Sequence, residues 1–181
     1  MTSEEVLVKQ AQQGDKAAFE RLYNMHHEAI FSYIYYRVGN AQQAEDLTGD
    51  VFVKMVDKID TFTSGTRPFL AWLYTVAGNL VRDTMRRQQK IDWVPLDERD
   101  SDEEAKVLKT VDKKLTEEQL VEAMTQLTEE QRQVILLRFV EGRTAPAVAE
   151  LIGKTVTSVK ALQRRGIGAL RRQLIERGIY V

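Results

Sequence analysis

The chain has 181 residues, of which 43% are apolar and 29% are charged, with a formal net charge of −1 and no cysteine. This length and composition fit one or two globular domains, each with a buried core. The lack of cysteine excludes a disulfide scaffold, a thiolate zinc site and a cysteine nucleophile. No apolar run is long enough to cross a bilayer and the start carries no secretory signal, so we expect neither export nor membrane insertion.

Apolar residues recur every three or four positions in the first half, which predicts helices at about 4–14, 16–38, 41–59 and 69–90. Gly14-Asp15 and Gly39-Asn40 separate the first three helices. The predicted core positions are Val6, Leu7, Ala11, Phe19, Leu22, Tyr23, Ile30, Tyr33, Ile34, Ala44, Leu47, Val51, Met55, Ile59, Leu70, Leu73, Ala77 and Leu80. The loop at 61–68 holds one aromatic residue that looks exposed, Phe62.

Two of these helices have distinctive outer faces. That of the third is acidic, with Glu45, Asp46, Asp50 and Asp57. The fourth mixes aromatic, polar and basic groups: Trp72, Asn79, Arg82, Asp83, Arg86, Arg87 and Lys90. Bases can stack on rings while cations follow the backbone, so this pattern suits single-stranded nucleic acid. The simpler alternatives are a solvated acidic face and a Trp72 that belongs to the core.

Residues 93–115 are poor in apolar side chains and include the acidic run 97–104, which predicts a flexible linker. The linker divides the chain into domains at 1–92 and 116–181. In the second domain, two pairs have the spacing of capping boxes, Thr116 with Gln119 and Thr128 with Gln131. Two apolar stripes follow these caps: Leu120, Met124 and Leu127, then Val134, Leu137 and Val140. The expected fold is all-α, two helical domains joined by a flexible acidic linker.

The segment 142–172 has the pattern of a helix-turn-helix. Thr144 can cap a short helix with Pro146 in its first turn, Gly153 can end it, and Thr155 can cap the next. At 100° per residue, one side of the second helix carries Val159, Leu162, Gly166, Ala169 and Leu170. The other side carries Thr157, Lys160, Ala161, Arg164, Arg165, Gly168, Arg171 and Arg172. Such a basic helix can enter the DNA major groove.

The charge distribution supports this interpretation. From Gly142 onwards eight basic and two acidic side chains give a net charge of +6, which leaves −7 for the rest. This predicts one nucleic-acid face and one acidic protein-binding face. We expect no catalytic residues, metal, cofactor or small-molecule substrate. His26 and His27 are adjacent and cannot clamp a metal as an i, i+4 pair would, and no phosphate-binding glycine loop occurs.

Three segments, 44–59, 67–90 and 127–165, stand in the order of the functional segments of a known family. With them the chain resembles the extracytoplasmic-function (ECF) sigma factors, the small two-domain branch of the sigma-70 family. The resemblance implies a non-enzymatic protein that directs core RNA polymerase to promoters and helps to open the minus-ten region. It also implies a cytoplasmic, nucleoid-associated protein that an anti-sigma factor, often membrane-bound, holds inactive.

The resemblance assigns roles residue by residue. Core polymerase, through its largest subunits, would contact Glu45, Asp46, Asp50 and Phe52. Opened minus-ten DNA would contact Phe62, Arg67, Trp72, Asn79, Arg82, Asp83, Arg86 and Arg87, with a flipped base held in the loop from Phe62 to Arg67. Duplex minus-thirty-five DNA would contact Thr157, Lys160, Ala161, Arg164 and Arg165, with Arg138 in support.

The sequence departs from the family at a few positions. Gly49 stands where a helix former is usual, and Ala161 and Leu162 stand where many members carry serine and arginine. The promoter sequence therefore cannot be borrowed from relatives. A stand-alone helix-turn-helix regulator would explain the second half of the chain equally well. It would not explain a basic, Trp-bearing helix beside an acidic helix in the first half.

Overall fold

The computed structural model describes residues 3–88 and 116–179, and every regular element in these two ranges is helical. The chain divides into two compact units, Met1–Lys90 and Ile91–Val181. The prediction of an all-α fold with two helical domains is therefore confirmed. The predicted linker at 93–115 lies outside the described residues.

The N-terminal unit contains four α-helices. They are α1 (Ser3–Gln12), α2 (Lys16–Val38), α3 (Ala41–Lys58) and α4 (Phe69–Gln88), with a 3₁₀ turn at Ile59–Thr61. The long helix α2 packs against each of the other three. The four predicted helices are confirmed, with ends that differ by at most two residues.

The helix boundaries follow from the capping residues that the sequence indicated. The side chain of Asp15 accepts a hydrogen bond from the backbone N–H of Ala17 at 2.9 Å, and that of Asn40 accepts from Gln43 at 2.8 Å. Between the two helices, Gly39 has a φ of 71°, a left-handed conformation that glycine adopts without steric cost. The breaks between α1, α2 and α3 are thus encoded locally.

The core of the N-terminal unit follows the predicted stripe closely on α3, where all four predicted positions are buried, as is Ile59 in the 3₁₀ turn. Two predicted core residues are wrong, because Val6 and Tyr23 are 38% and 40% exposed. The helices turn Val8 and Ala18 inward instead. Leu7, Phe19 and Leu80 are half-buried.

Two polar side chains of α2 are also buried, which periodicity did not reveal. His26 lies under α1, with its Nε2 2.8 Å from Oε1 of Glu4. Arg37 is 1% exposed, and its guanidinium lies over the ring of Tyr33 at 3.8 Å. His26 therefore has a structural role in holding α1, and cation–π contact helps to accommodate the buried Arg37.

The C-terminal unit contains four further α-helices. They are α5 (Glu117–Thr125), α6 (Glu129–Ile135), α7 (Ala145–Ile152) and α8 (Val156–Glu176), and a π-helical segment, Leu136–Val140, continues α6. Both predicted capping boxes are present, at Thr116 with Gln119 and at Thr128 with Gln131. The apolar stripes are confirmed except that Val140 is 44% exposed and Leu120 is half-buried.

Helix α8 packs against α6 at very short range, at a glycine. A Cβ atom placed on Gly166 would lie 3.0 Å from Cγ1 of Ile135 and 3.4 Å from Cβ of Gln131. The missing side chain therefore lets the two helices approach closely. Sequence analysis placed Gly166 on the buried side, and the structure gives the reason for glycine there.

Alanine at Gly49 is expected to stabilise the N-terminal unit. Gly49 lies inside α3, and a Cβ atom placed there would have no neighbour within 4 Å, so only the helix propensity changes, by about 1 kcal/mol. For a unit of this size the melting temperature should rise by about 4–8 °C. Gly78→Ala is the matched comparison, since its Cβ would lie 3.2 Å from the hydroxyl of Tyr33. Thermal unfolding followed by circular dichroism should show a larger gain for Gly49→Ala, and an unchanged melting temperature would contradict the prediction.

Candidate protein and nucleic-acid interfaces

The outer face of α3 presents a row of acidic side chains. Glu45, Asp46 and Asp50 are all exposed, and Gln42 donates to Oδ1 of Asp46 at 3.3 Å. Phe52 differs from them, because it is only 6% exposed and its ring lies 4.7 Å from that of Tyr23. The structure thus makes Phe52 part of the packing beneath the face, while the three carboxylates are available to a partner.

This surface also has an apolar part, which the predicted acidic face did not include. Val53 and Val56 of α3 are 60% and 53% exposed. Val53 lies one turn and Val56 two turns beyond Gly49, and both are within about 40° of it around the helix. The signal was available in the sequence, since valines outside the core stripe of an amphipathic helix must face the solvent or a partner.

Phe62 and Trp72 are in the core of the N-terminal unit, so the expected exposure of Phe62 is wrong and the alternative that Trp72 belongs to the core is confirmed. They are 6% and 7% exposed. Both rings pack on Phe69, with ring centroids 5.1 Å and 5.4 Å from it, and lie 5.7 Å from each other. Such a cluster buries a large apolar area. The sequence of the loop could not reveal this contact, because the three rings meet only after α4 packs.

The loop that contains Phe62 is also tied to α1. Nε2 of Gln12 donates to the carbonyl oxygens of Ile59 and Phe62, at 2.9 Å and 2.8 Å. These two bonds hold the backbone at the start of the 3₁₀ turn and just after its end. Arg67, further along the same loop, is exposed. The loop thus has a fixed base and an exposed basic residue near its end.

The outward side of α4 carries the polar residues that the sequence assigned to it. Asn79, Arg82, Asp83, Arg86 and Arg87 are all exposed. Nη2 of Arg82 donates to Oδ1 of Asn79, and Nη1 of Arg86 lies 3.9 Å from Oδ1 of Asp83. The result is a face with both hydrogen-bonding and cationic groups. Lys90 lies outside the described residues.

The predicted helix-turn-helix is confirmed by its backbone geometry. Oγ1 of Thr144 accepts from the N–H of Ala147 at 3.4 Å at the start of α7, and Oγ1 of Thr155 accepts from Ser158 at 3.1 Å at the start of α8. Gly153 ends α7 with a φ of 66°. The two caps and one glycine define a turn of three residues, 153–155, between the helices.

One side of α8 is basic and exposed, as the sequence predicted. Thr157, Lys160, Arg164 and Arg165 are exposed, and Ala161 between them is half-buried. On the opposite side Val159, Leu162, Gly166, Ile167, Leu170 and Leu174 are buried. Leu162 is therefore a core residue here. The helix presents three cations and a small residue on one surface, which fits the major groove.

Arg138 does not belong to this exposed surface. It is half-buried, its Nε donates to Oε1 of Gln163 at 3.0 Å, and its Nη1 donates to the backbone oxygen of Arg143. The sequence prediction grouped Arg138 with the residues that support duplex recognition. Its observed hydrogen bonds point into the protein.

Comparison with known proteins adds family information to this geometry. The sequence matches Sigma-70 region 2 over residues 22–91 and Sigma-70 region 4 over residues 117–170. It is 36% identical over 170 residues to the ECF RNA polymerase sigma factor BldN of Streptomyces coelicolor. The aligned region covers 93% of this chain and 64% of BldN. It is 29% identical to the ECF RNA polymerase sigma factor SigW of Bacillus subtilis, covering 92% of this chain and 94% of SigW.

Two solved structures have a similar fold. CnrH, in complex with the cytosolic domain of CnrY, is 22% identical with a TM-score of 0.66, covering 97% of this chain and 99% of CnrH. The sigma factor RpoE of Bartonella quintana, in complex with the anti-sigma factor NepR, is 24% identical with a TM-score of 0.62. The match covers 87% of this chain and 96% of RpoE. In the part of this chain that the structure describes, none of the helices could cross a membrane.

Proposed function

Because this chain belongs to the ECF group of the sigma-70 family, we propose that its two units bind separate parts of one promoter. As a sigma factor, it directs core RNA polymerase to specific promoters. The observation that carries the assignment is the order of its parts. Region 2 and then region 4 match along the chain, and each match includes a helix with an exposed basic face. Such a protein acts by binding, as an initiation factor, and not as an enzyme.

Reconstitution with core polymerase tests this function directly. The full chain, core enzyme and promoter-bearing DNA fragments are combined, and transcripts are mapped. We expect discrete start sites that require both proteins. If the chain shifts duplex DNA strongly by itself but yields no polymerase-dependent transcript, it is a stand-alone regulator and the proposal is wrong.

The acidic face of α3 is the proposed contact for core polymerase. Glu45, Asp46 and Asp50 would pair with basic side chains of the largest subunits, and the exposed Val53 and Val56 would add apolar area. Phe52 supports this surface from below. Charge complementarity of this kind contributes mainly to specificity and to the rate of association.

Reversing one charge on this face is expected to weaken polymerase binding. Asp46→Arg places a cation where the partner is basic, and we expect about tenfold weaker binding, which corresponds to about 1.4 kcal/mol. The fold should remain, because Asp46 is exposed. Competition for core polymerase against a labelled wild-type chain measures the effect.

The matched control is Glu28→Arg, a similar charge reversal at an exposed position of α2. It tests whether any change in net charge alters the association. If both variants lose the same affinity for core polymerase, or if neither loses any, the acidic side of α3 is only a solvated face and the prediction is wrong.

The outward side of α4 is the proposed contact for the opened minus-ten element. Asn79 and Arg82 can hydrogen-bond to bases, while Arg86, Arg87 and the loop residue Arg67 can follow phosphates. Asp83 lies 3.9 Å from Arg86 and would share this surface. Phe62 and Trp72 act from inside the unit, because their cluster with Phe69 supports both the loop and the start of α4. The flipped base assigned to the loop would therefore rest on backbone and polar groups of residues 63–67.

The exposed side of α8 is the proposed contact for the minus-thirty-five duplex. Lys160, Arg164 and Arg165 would donate to guanine edges or phosphates, and Thr157 would act near the helix N-terminus. The small side chain of Ala161 would let the helix sit deep in the groove. Since no bond is made or broken, promoter opening is a shift of population that binding energy favours.

An anti-sigma factor is the proposed regulator. The complexes of CnrH with CnrY and of RpoE with NepR are the basis for this expectation. A partner of this kind would cover the acidic face of α3 with its exposed valines. The chain would then be cytoplasmic, associated with the nucleoid when active, and held at the membrane only through a membrane-bound anti-sigma factor.

A further inference from the structure

Arg138 occupies an unusual place between α6 and the helix-turn-helix. It lies in the π-helical segment Leu136–Val140, where backbone N–H groups donate to the carbonyl oxygen five residues earlier, as Glu141 does to Leu136 at 3.0 Å. Its guanidinium makes two different contacts, donating from Nε to Oε1 of Gln163 and from Nη1 to the backbone oxygen of Arg143. Gln163 lies within α8, and Arg143 directly precedes Thr144, the N-cap of α7. One side chain therefore joins α8 to the loop that directly precedes α7.

The acceptor on α8 faces the protein and not the groove. Gln163 follows the buried Val159 by four residues, so it lies only about 40° from it around the helix. Arg164 and Arg165, by contrast, are exposed. Gln163 is half-buried, and losing Arg138 would leave its amide oxygen without this charge-assisted hydrogen bond.

The acceptor before α7 belongs to a well-held loop. The backbone N–H of Arg143 donates to the carbonyl oxygen of Leu137 at 2.9 Å, and Nε of Arg143 donates to Oε2 of Glu141 at 2.8 Å. The loop 141–143 is thus fixed to the end of the π-helical segment. A link from this loop to Gln163 restrains α8 against a rigid support.

We propose that Arg138 and Gln163 are a positioning pair that sets the orientation of α8 relative to α7, and so the sequence preference for the duplex promoter element. The inference rests on the proposed function of α8. A planar guanidinium holds both acceptors in a fixed geometry, whereas an ammonium has neither the fork nor the reach for both. Arg138 thereby acts on recognition through α8 and not through a contact of its own with DNA.

The first test changes only the acceptor. Gln163→Leu keeps the approximate size but removes the oxygen, and Gln163→Glu keeps an oxygen and adds charge. The full chain with core polymerase is assayed on a promoter library randomised in the minus-thirty-five element. We expect Gln163→Leu to lose about tenfold in transcription from the preferred sequence and to broaden the preference, while Gln163→Glu stays within about twofold of wild type. Gln126→Leu, at an exposed glutamine of the same unit, is the control.

The second test distinguishes a positioning role from a phosphate contact. Arg138→Lys keeps the charge but loses the fork, so a positioning pair predicts a loss similar to that of Gln163→Leu. The double variant should lose little more than either single variant, because the two changes break one interaction. For Arg138→Met, a positioning role predicts that the slope of log affinity for the promoter against log salt concentration stays at its wild-type value. A phosphate contact predicts instead that Arg138→Met lowers this slope by about one while Gln163→Leu binds like wild type.

The same measurements distinguish the positioning role of Arg138 and Gln163 from a role in the stability of the C-terminal unit alone. Assays are run at a temperature where circular dichroism shows every variant fully folded, and sequence preference is a ratio that the amount of folded protein does not change. An unchanged preference for both Gln163→Leu and Arg138→Lys would overturn the inference. If the wild-type chain itself gave no promoter-specific transcript, the proposed function would fail first, which the same assay reports separately.

Discussion

Replacing Trp72 by alanine is expected to destabilise the N-terminal unit by about 3–5 kcal/mol, since the change leaves a cavity in the ring cluster with Phe62 and Phe69. A loss of this size approaches the whole stability of a small domain. Urea unfolding followed by circular dichroism measures the change. Promoter opening should fall in proportion to the folded fraction of the unit.

Trp72→Phe separates this role from base stacking. A phenylalanine ring can still pack on Phe62 and Phe69, so most of the stability and of the promoter opening should return. If Trp72 stacked on a flipped base, Trp72→Ala would abolish opening while changing the free energy of unfolding by less than about 1 kcal/mol, which is typical of exposed sites.

Arg132→Met is expected to destabilise the C-terminal unit by about 3–5 kcal/mol. Arg132 is 8% exposed and its guanidinium ends α5, donating to the carbonyl oxygens of Met124 at 2.8 Å, Thr125 at 3.0 Å and Leu127 at 2.9 Å. Met124 and Thr125 are the last two residues of α5, and the carbonyl oxygen of Met124 also accepts from the backbone N–H of Leu127 at 3.2 Å. Removing the guanidinium takes a charged donor away from all three carbonyl oxygens.

Two further variants define the cause of that loss. Arg132→Lys retains the charge but cannot reach three carbonyl oxygens at once, so it should recover only part of the stability. Arg165→Met makes the same replacement at an exposed position of α8 and should change the free energy of unfolding by less than about 0.5 kcal/mol. Equal effects of Arg132→Met and Arg165→Met would show that Arg132 does not cap α5.

Local signals in the sequence were sufficient for the helices and their ends. A cap such as Thr155 acts on a backbone N–H only three residues away, and Gly153 requires only its own left-handed conformation. Because these effects operate within one turn, the caps and the turn of the helix-turn-helix were predicted correctly. The exposed faces of α3, α4 and α8 followed from the same periodicity, since their polar residues lie opposite the apolar stripes.

The roles of Phe62, Trp72, Arg132 and Arg138 were decided only by tertiary structure. Phe62 meets the ring of Phe69 across a loop, and Arg138 reaches Gln163 across 25 positions. An aromatic or basic residue has an apolar stem and a polar or π-bearing end, so its sequence position alone does not tell whether it faces a ligand or the interior. Periodicity determined which helices form and which sides are basic or acidic. Packing between helices decided which rings and guanidinium groups are available to partners and which support the surfaces from within.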